Sequence, residues 1–79
     1  MILRNSEFSE CVEMFLAKTN MPITTFGRKA NNDSRFVYDL RKGRSYSENI
    51  KDRVLIFMQK YIAEKGVEFN FNGWSAEGW

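Results

Sequence analysis

The sequence predicts a small all-α domain, four helices followed by a short strand-like aromatic tail. Three observations carry that expectation. Apolar residues recur at three- and four-residue spacing through most of the chain, the period of a helix with one buried face. Polar caps and glycines punctuate the pattern. Near residue 67 the period shortens to two, as in a strand. With 79 residues, 43% hydrophobic and 28% charged, the chain has the size and balance of one globular unit. Residues 1–66 are read as the domain and residues 67–79 as its tail.

Ser6 to Lys18 reads as the first helix. Phe8, Cys11, Val12, Phe15 and Leu16 share one face, and Glu7, Glu10 and Glu13 take the other. Ser6 is the expected N-cap. Thr19-Asn20-Met21-Pro22 closes the helix, and Pro22 suits the first turn of the next. The second helix runs from Ile23 to Ala30, with Phe26 and Ala30 four residues apart. Gly27 inside it costs about 1 kcal/mol against Ala, a cost tolerated where a neighbour must approach closely. Asn31-Asn32-Asp33 is a turn, with Asn31 in the left-handed place where Gly often ends a helix. Asp33 caps a third helix, Ser34 to Lys42, whose inner face is Phe36, Val37 and Leu40. Gly43 ends it. Ser47 caps a fourth helix, Glu48 to Lys65. Ile50, Val54, Phe57, Met58, Tyr61 and Ile62 make its stripe, with Leu55 to one side, and Gly66 stops it. Val67-Glu68-Phe69-Asn70-Phe71 then alternates, Asn72-Gly73 turns, and Trp74 and Trp79 follow.

A chain this short has a marginal core, and such domains are commonly reinforced by a disulfide, a metal or a partner. One Cys and no His exclude an internal disulfide and a Cys/His metal site. The missing His also removes the commonest general base. No nucleophile–base pair can be assembled, so the chain is not expected to be an enzyme or to hold a cofactor or metal. Oligomerisation is the remaining source of stability. No apolar run nears the ~18 residues of a membrane span, and the start of the chain lacks a signal-peptide layout. Cytoplasmic residence is the expectation.

The net charge of +2 conceals an uneven distribution. Arg28, Lys29, Arg35, Arg41, Lys42 and Arg44 fall between Thr24 and Arg44, against Asp33 and Asp39 alone, so this segment carries +4. The rest of the chain carries −2. A basic middle between acidic flanks has two readings, an anion-binding face or a solvated charged surface.

Two short helices joined by a three-residue turn, the second capped by Asp, make a helix-turn-helix. The roles fall without a gap on Phe26, Gly27, Ala30, Asn31, Asp33, Val37, Leu40 and Gly43. Over about residues 21 to 62 this pattern resembles the small Cro/C1-type (lambda-repressor-like) regulators of phages, prophages and alphaproteobacteria. The wording Phe-Gly-Arg-x-Ala-x-Asn-Asp, then Phe-Val-x-Asp-Leu-Arg-x-Gly-Arg, carries the likeness. The chain departs from that family where Pro22-Ile23 replaces a Thr-Gln, and where Asn31 replaces the turn Gly. A strand-like tail also stands in place of a fifth helix, as in Cro proteins, whose C-terminal strand pairs across the dimer.

The resemblance implies a dimeric, sequence-specific DNA-binding repressor that reads an inverted repeat and occludes polymerase. With Val37 and Leu40 inward, Ser34, Arg35 and Tyr38 lie at the end of the helix that enters the major groove. Arg35 suits a bidentate contact to guanine, worth about 1–3 kcal/mol of discrimination. Thr24, Thr25, Arg28, Lys29, Arg41, Lys42 and Arg44 suit phosphates. Each has a plainer alternative. Arg35 can pair with Asp39 at i+4. Tyr38 can rim the core, and Lys42 and Arg44 can complement a helix C-terminus. Phe36 and Cys11 read as core, and the three glutamates as a solvated face. Val67, Phe69, Phe71, Trp74 and Trp79 expose more apolar surface than a free end carries, so a homodimer paired through the tail is expected. Two other classes compete with the regulator. One is a protein-interaction module, antitoxin-like or an adaptor. The other is a non-specific architectural nucleic-acid binder.

Overall fold

The structure, a computed structural model, describes residues 4–67. Its elements are α1 (Asn5–Thr19), α2 (Ile23–Asn31), α3 (Phe36–Arg41) and α4 (Glu48–Lys65), with no strand among the described residues. The all-α expectation therefore holds, and α4 has the bounds its caps predict. No helix among the described residues is long and apolar enough to cross a membrane.

Helix α1 starts one residue before the expected Ser6 cap. The cap is Arg4, whose amide donates to Glu7 Oε1 at 3.0 Å and whose carbonyl accepts from Phe8 at 2.9 Å. The Glu7 carboxylate satisfies an otherwise orphaned amide, so the cap moves from Ser6 to Arg4, two residues earlier. At the other end the Thr19 hydroxyl donates to the Phe15 carbonyl at 2.8 Å, and Asn20 closes the helix at φ 58°. Pro22 is the N-cap of α2, one position before its first turn.

The core is an aromatic cluster with aliphatic side chains around it. Phe8, Phe15, Phe26 and Phe36 are fully buried. Phe15 and Phe26 stand 5.4 Å apart between ring centroids, and Phe26 lies 6.2 Å from Phe36, which meets Phe8 edge-on at 6.2 Å. Each such side chain contributes about 1.5–3 kcal/mol on burial, more than any surface pair in the molecule. Helix α4 seals the cluster with Val54, Leu55 and Met58. Leu55 was expected beside the stripe, yet it is only 1% exposed. The reason is that α4 is covered over a wider arc than one stripe, so that Leu55 joins Val54 and Met58 in the core.

That loop supplies a core residue with no helical period to announce it. Tyr46 is buried, its ring 4.8 Å from Phe36 and its hydroxyl donating to the Phe36 carbonyl at 3.4 Å. It directly precedes the Ser47 cap of α4, and its partner is α3.

Candidate nucleic-acid interface

The two helices of the predicted motif meet through Gly27. A Cβ there would overlap the Asp33 carbonyl oxygen and stand 3.2 Å from Phe36 Cβ. Gly27 is thus where the turn and α3 press onto α2. The turn differs in detail from the expected one. Helix α2 continues through Asn31, and Asn32 takes the left-handed conformation at φ 50°. The shift of one residue follows from the hydrogen bonds. Asn32 N–H reaches Arg28 O at 2.9 Å, and Asp33 N–H reaches Gly27 O at 3.1 Å.

Asp33 was expected as the N-cap of the third helix; that cap is Arg35, and Asp33 sits in the turn before it. Its Oδ1 accepts from the Arg35 amide at 2.9 Å, and its carbonyl accepts from Phe36 at 3.1 Å. Residues Ser34 and Arg35 therefore belong to the turn, and α3 begins at Phe36 instead of Ser34. Lys42 is the C-cap of α3, and Gly43 follows at φ 97°.

Three residues were assigned to base reading. Arg35 is exposed at the N-cap of α3, and Tyr38 is 45% exposed. Ser34 is half-buried. Phe36, Val37 and Leu40 all face the core, so Arg35, Tyr38 and Lys42 fall on the outer stripe at i, i+3 and i+7. Tyr38 is not among the buried residues of the core. Nor does Arg35 pair with Asp39, whose carboxylate receives Arg44 at 3.3 Å.

The phosphate candidates divide into two groups. Arg41 donates through Nε and Nη2 to both oxygens of Glu13, at 2.7 and 2.9 Å. This bidentate pair ties α3 to α1. The Arg41 hydrogen bond holds the Glu13 carboxyl below its ordinary range, and Glu13 in turn raises the guanidinium. Glu13 is accordingly half-buried, where only solvated surface was expected. Arg44, besides meeting Asp39, lies 5.0 Å over the Tyr46 ring. Burial, ahead of the neighbouring charges, pushes the Tyr46 hydroxyl up. Thr24, Arg28, Lys29 and Lys42 are exposed and Thr25 is half-buried; the three cations make no ion pair among the described residues. One cation escaped the sequence reading: Arg53 on α4 reaches Asn31 Oδ1 at 3.5 Å, beside the turn. Its signal was its spacing, three residues after Ile50 and four before Phe57, on the flank of the apolar stripe.

Cys11 sits fully buried, its thiol pushed up to about 11 by burial first and then by Glu10 and Glu7. It packs as a small apolar residue. No cluster of three or more His, Cys, Asp or Glu able to hold a metal exists among the described residues. Of the tail residues assigned to dimerisation, Val67 alone is described, half-buried with its amide on Ile62 O at 3.1 Å. Phe69, Phe71, Trp74 and Trp79 lie outside the described residues. Comparison with protein families, curated proteins and solved structures finds no match to this chain.

Proposed function

We propose that this domain is a sequence-specific DNA-binding regulator of transcription. It acts as a homodimer that reads an inverted repeat and represses by occluding polymerase. The observation that carries this reading is the α2–turn–α3 unit. Gly27 lets the turn seat directly on α2, and α3 then turns Arg35, Tyr38 and Lys42 outward from a fully buried opposite face. Arg35 at the leading end of α3 reads guanine, and Tyr38 reaches a base edge or phosphate, with Ser34 beside them. Arg28, Lys29 and Lys42 are exposed cations for phosphates, supported by Thr24 and Thr25. Repression, in preference to activation, rests on the resemblance alone.

The test is selection from a random duplex library at ~150 mM salt, where exposed charges are screened within about 8 Å. An enriched inverted repeat with half-sites about 34 Å apart is expected. Arg35→Ala should then flatten preference at one base pair, while Lys42→Ala should weaken all sequences alike. Equal recovery of every sequence would replace the regulator by a non-specific binder. No recovery at all would leave a protein-interaction module.

A further inference from the structure

Between α2 and the second half of α4 runs a groove of about 460 Å³, and no residue of α3 lines it. Its α4 wall follows helical spacing. Phe57, Tyr61 and Lys65 stand four apart, with Lys60 and Glu64 beside them. Met21, just before α2, and Lys29, in its last turn, complete the lining. The core fixes the aromatic part of this wall. Phe57 meets the buried Phe26 at 5.8 Å, and Tyr61 meets the buried Phe15 edge-on at 5.5 Å, between ring centroids. The rim is charged and unbalanced. Lys29, Lys60 and Lys65 stand against Glu64 alone, and none of the three lysines makes an ion pair among the described residues. Lys65 Nζ lies 5.9 Å from the Tyr61 ring centroid, so positive charge already stands over the aromatic wall.

We propose that this groove binds a small aromatic anion, a planar ring system bearing a carboxylate or a phosphate. Its volume is in the range of small-molecule sites. A planar ring entering beside Phe57 and Tyr61 gains the offset and edge contacts that aromatic pairs prefer. An anionic group on that ring then falls among the three lysine ammonium groups, which reach it as point charges on flexible stems. A neutral ring would leave the lysines unmet, and a small inorganic anion would leave the rings uncovered, so the groove selects a ligand that carries both. Core packing holds Phe57 and Tyr61 before any ligand arrives, and little ordering cost remains to be met on binding. The site goes beyond the DNA reading and touches it at one residue. Lys29 is also among the proposed phosphate contacts, so an occupant that holds it takes one such contact from the duplex; that consequence alone rests on the DNA reading.

The experiment is an amide-resolved NMR titration of the full chain, without DNA. The probes are indole-3-acetate, indoxyl phosphate and the neutral alcohol tryptophol. Saturable shifts centred on Met21, Lys29 and residues 57–65 are expected for the anions, with a dissociation constant of about 1 mM or lower for probes of this size. Whichever anion binds more tightly assigns the anionic group. Tryptophol should bind about tenfold more weakly. The double variant Lys60→Gln with Lys65→Gln should weaken both anions about tenfold and leave tryptophol unchanged, the combined worth of two exposed charge pairs. Both lysines are exposed, so neither change challenges the core. Lys60→Arg with Lys65→Arg keeps the charge and should keep the affinity. Shifts spread over the whole molecule, no saturation, or tryptophol binding as well as the anions would overturn the site. Equal loss in the glutamine and arginine variants would overturn it too, because charge would then not select the ligand. A final arm adds the duplex enriched above. Saturating indole-3-acetate, set against equal sodium acetate, should weaken the complex about fivefold, the worth of one phosphate contact at ~150 mM salt. Unchanged DNA affinity overturns the competition at Lys29 alone. Failure of the DNA selection does not bear on the titration, which stands or falls without DNA.

Discussion

Replacing Gly27 by Ala separates two effects of opposite sign. Helix propensity favours Ala in α2 by about 1 kcal/mol. The close approach opposes it, because the new Cβ would overlap the Asp33 carbonyl oxygen and crowd Phe36 Cβ at 3.2 Å. Neither neighbour yields easily. The Asp33 carbonyl accepts the Phe36 amide and its own amide donates to Gly27 O, both at 3.1 Å, so withdrawing it strains the bonds that shape the turn. Phe36 is fully buried among three other rings. Overpacking of this kind costs about 1–3 kcal/mol, with each strained turn bond adding about 1 kcal/mol. The net is a loss of about 2–4 kcal/mol. For a domain of this length that lowers Tm by roughly 4–8 °C per kcal/mol. Thermal and urea unfolding followed by far-UV circular dichroism would measure it. Gly43→Ala is the companion: no atom lies within 4 Å of its Cβ, so it carries only the strain of a left-handed φ, about 1–2 kcal/mol. A higher Tm for Gly27→Ala would refute the close approach of α3 to α2.

Three other outcomes follow from the same geometry. Glu13→Gln should lower stability by about 0.5–1 kcal/mol at neutral pH, near the upper end for an exposed pair because the contact is bidentate. Glu13 is held below its ordinary carboxylate range when folded. The wild-type advantage is therefore complete above the unfolded value and disappears as pH falls through the folded one, as denaturant titrations from pH 7 to 2.5 would show. Cys11 should resist thiol reagents at pH 8 in native protein and label fully in denaturant; rapid native labelling would contradict its burial. Asn32→Gly should leave Tm nearly unchanged while Asn32→Ala lowers stability by about 1 kcal/mol, since φ there is 50°. Equal effects would place the left-handed residue elsewhere.

Where an element is defined by its own period and caps, it was legible. Helix α4 has the bounds that Ser47 and Gly66 imply, and the inner faces of α1 and α3 follow from apolar spacing alone. What failed was whatever depends on a neighbour. The start of α1 is set by Glu7 reaching back to Arg4, and the left-handed residue after α2 by which carbonyls Asn32 and Asp33 reach. Leu55 and Tyr46 are buried because of what lies across from them, and period cannot see across. Lys51, only 7% exposed, is a further case of burial that residue type does not announce. The outer stripe of α3 was legible for the converse reason, since three inward residues on a short helix leave few positions facing out.

Charge shows the same division, and it changes the weight of the basic segment. Counting residues gave six cations against two acids between residues 24 and 44. In space Glu13 must be added, because it comes from α1 to hold Arg41, and Asp39 must be assigned to Arg44. An arginine bound through two hydrogen bonds to a carboxylate presents little net field and would lose that pair to reach a phosphate. Arg28, Lys29, Arg35 and Lys42 are then the cations available without such a loss. Counterion release scales with the phosphates a protein neutralises, so the salt dependence of the proposed DNA complex should follow these four per protomer and not six. Arg41 and Arg44 serve a different purpose in that scheme. Arg41 fixes the end of α3 to α1, and Arg44 braces the loop over Tyr46. Both hold in place the helix whose other side carries Arg35 and Tyr38.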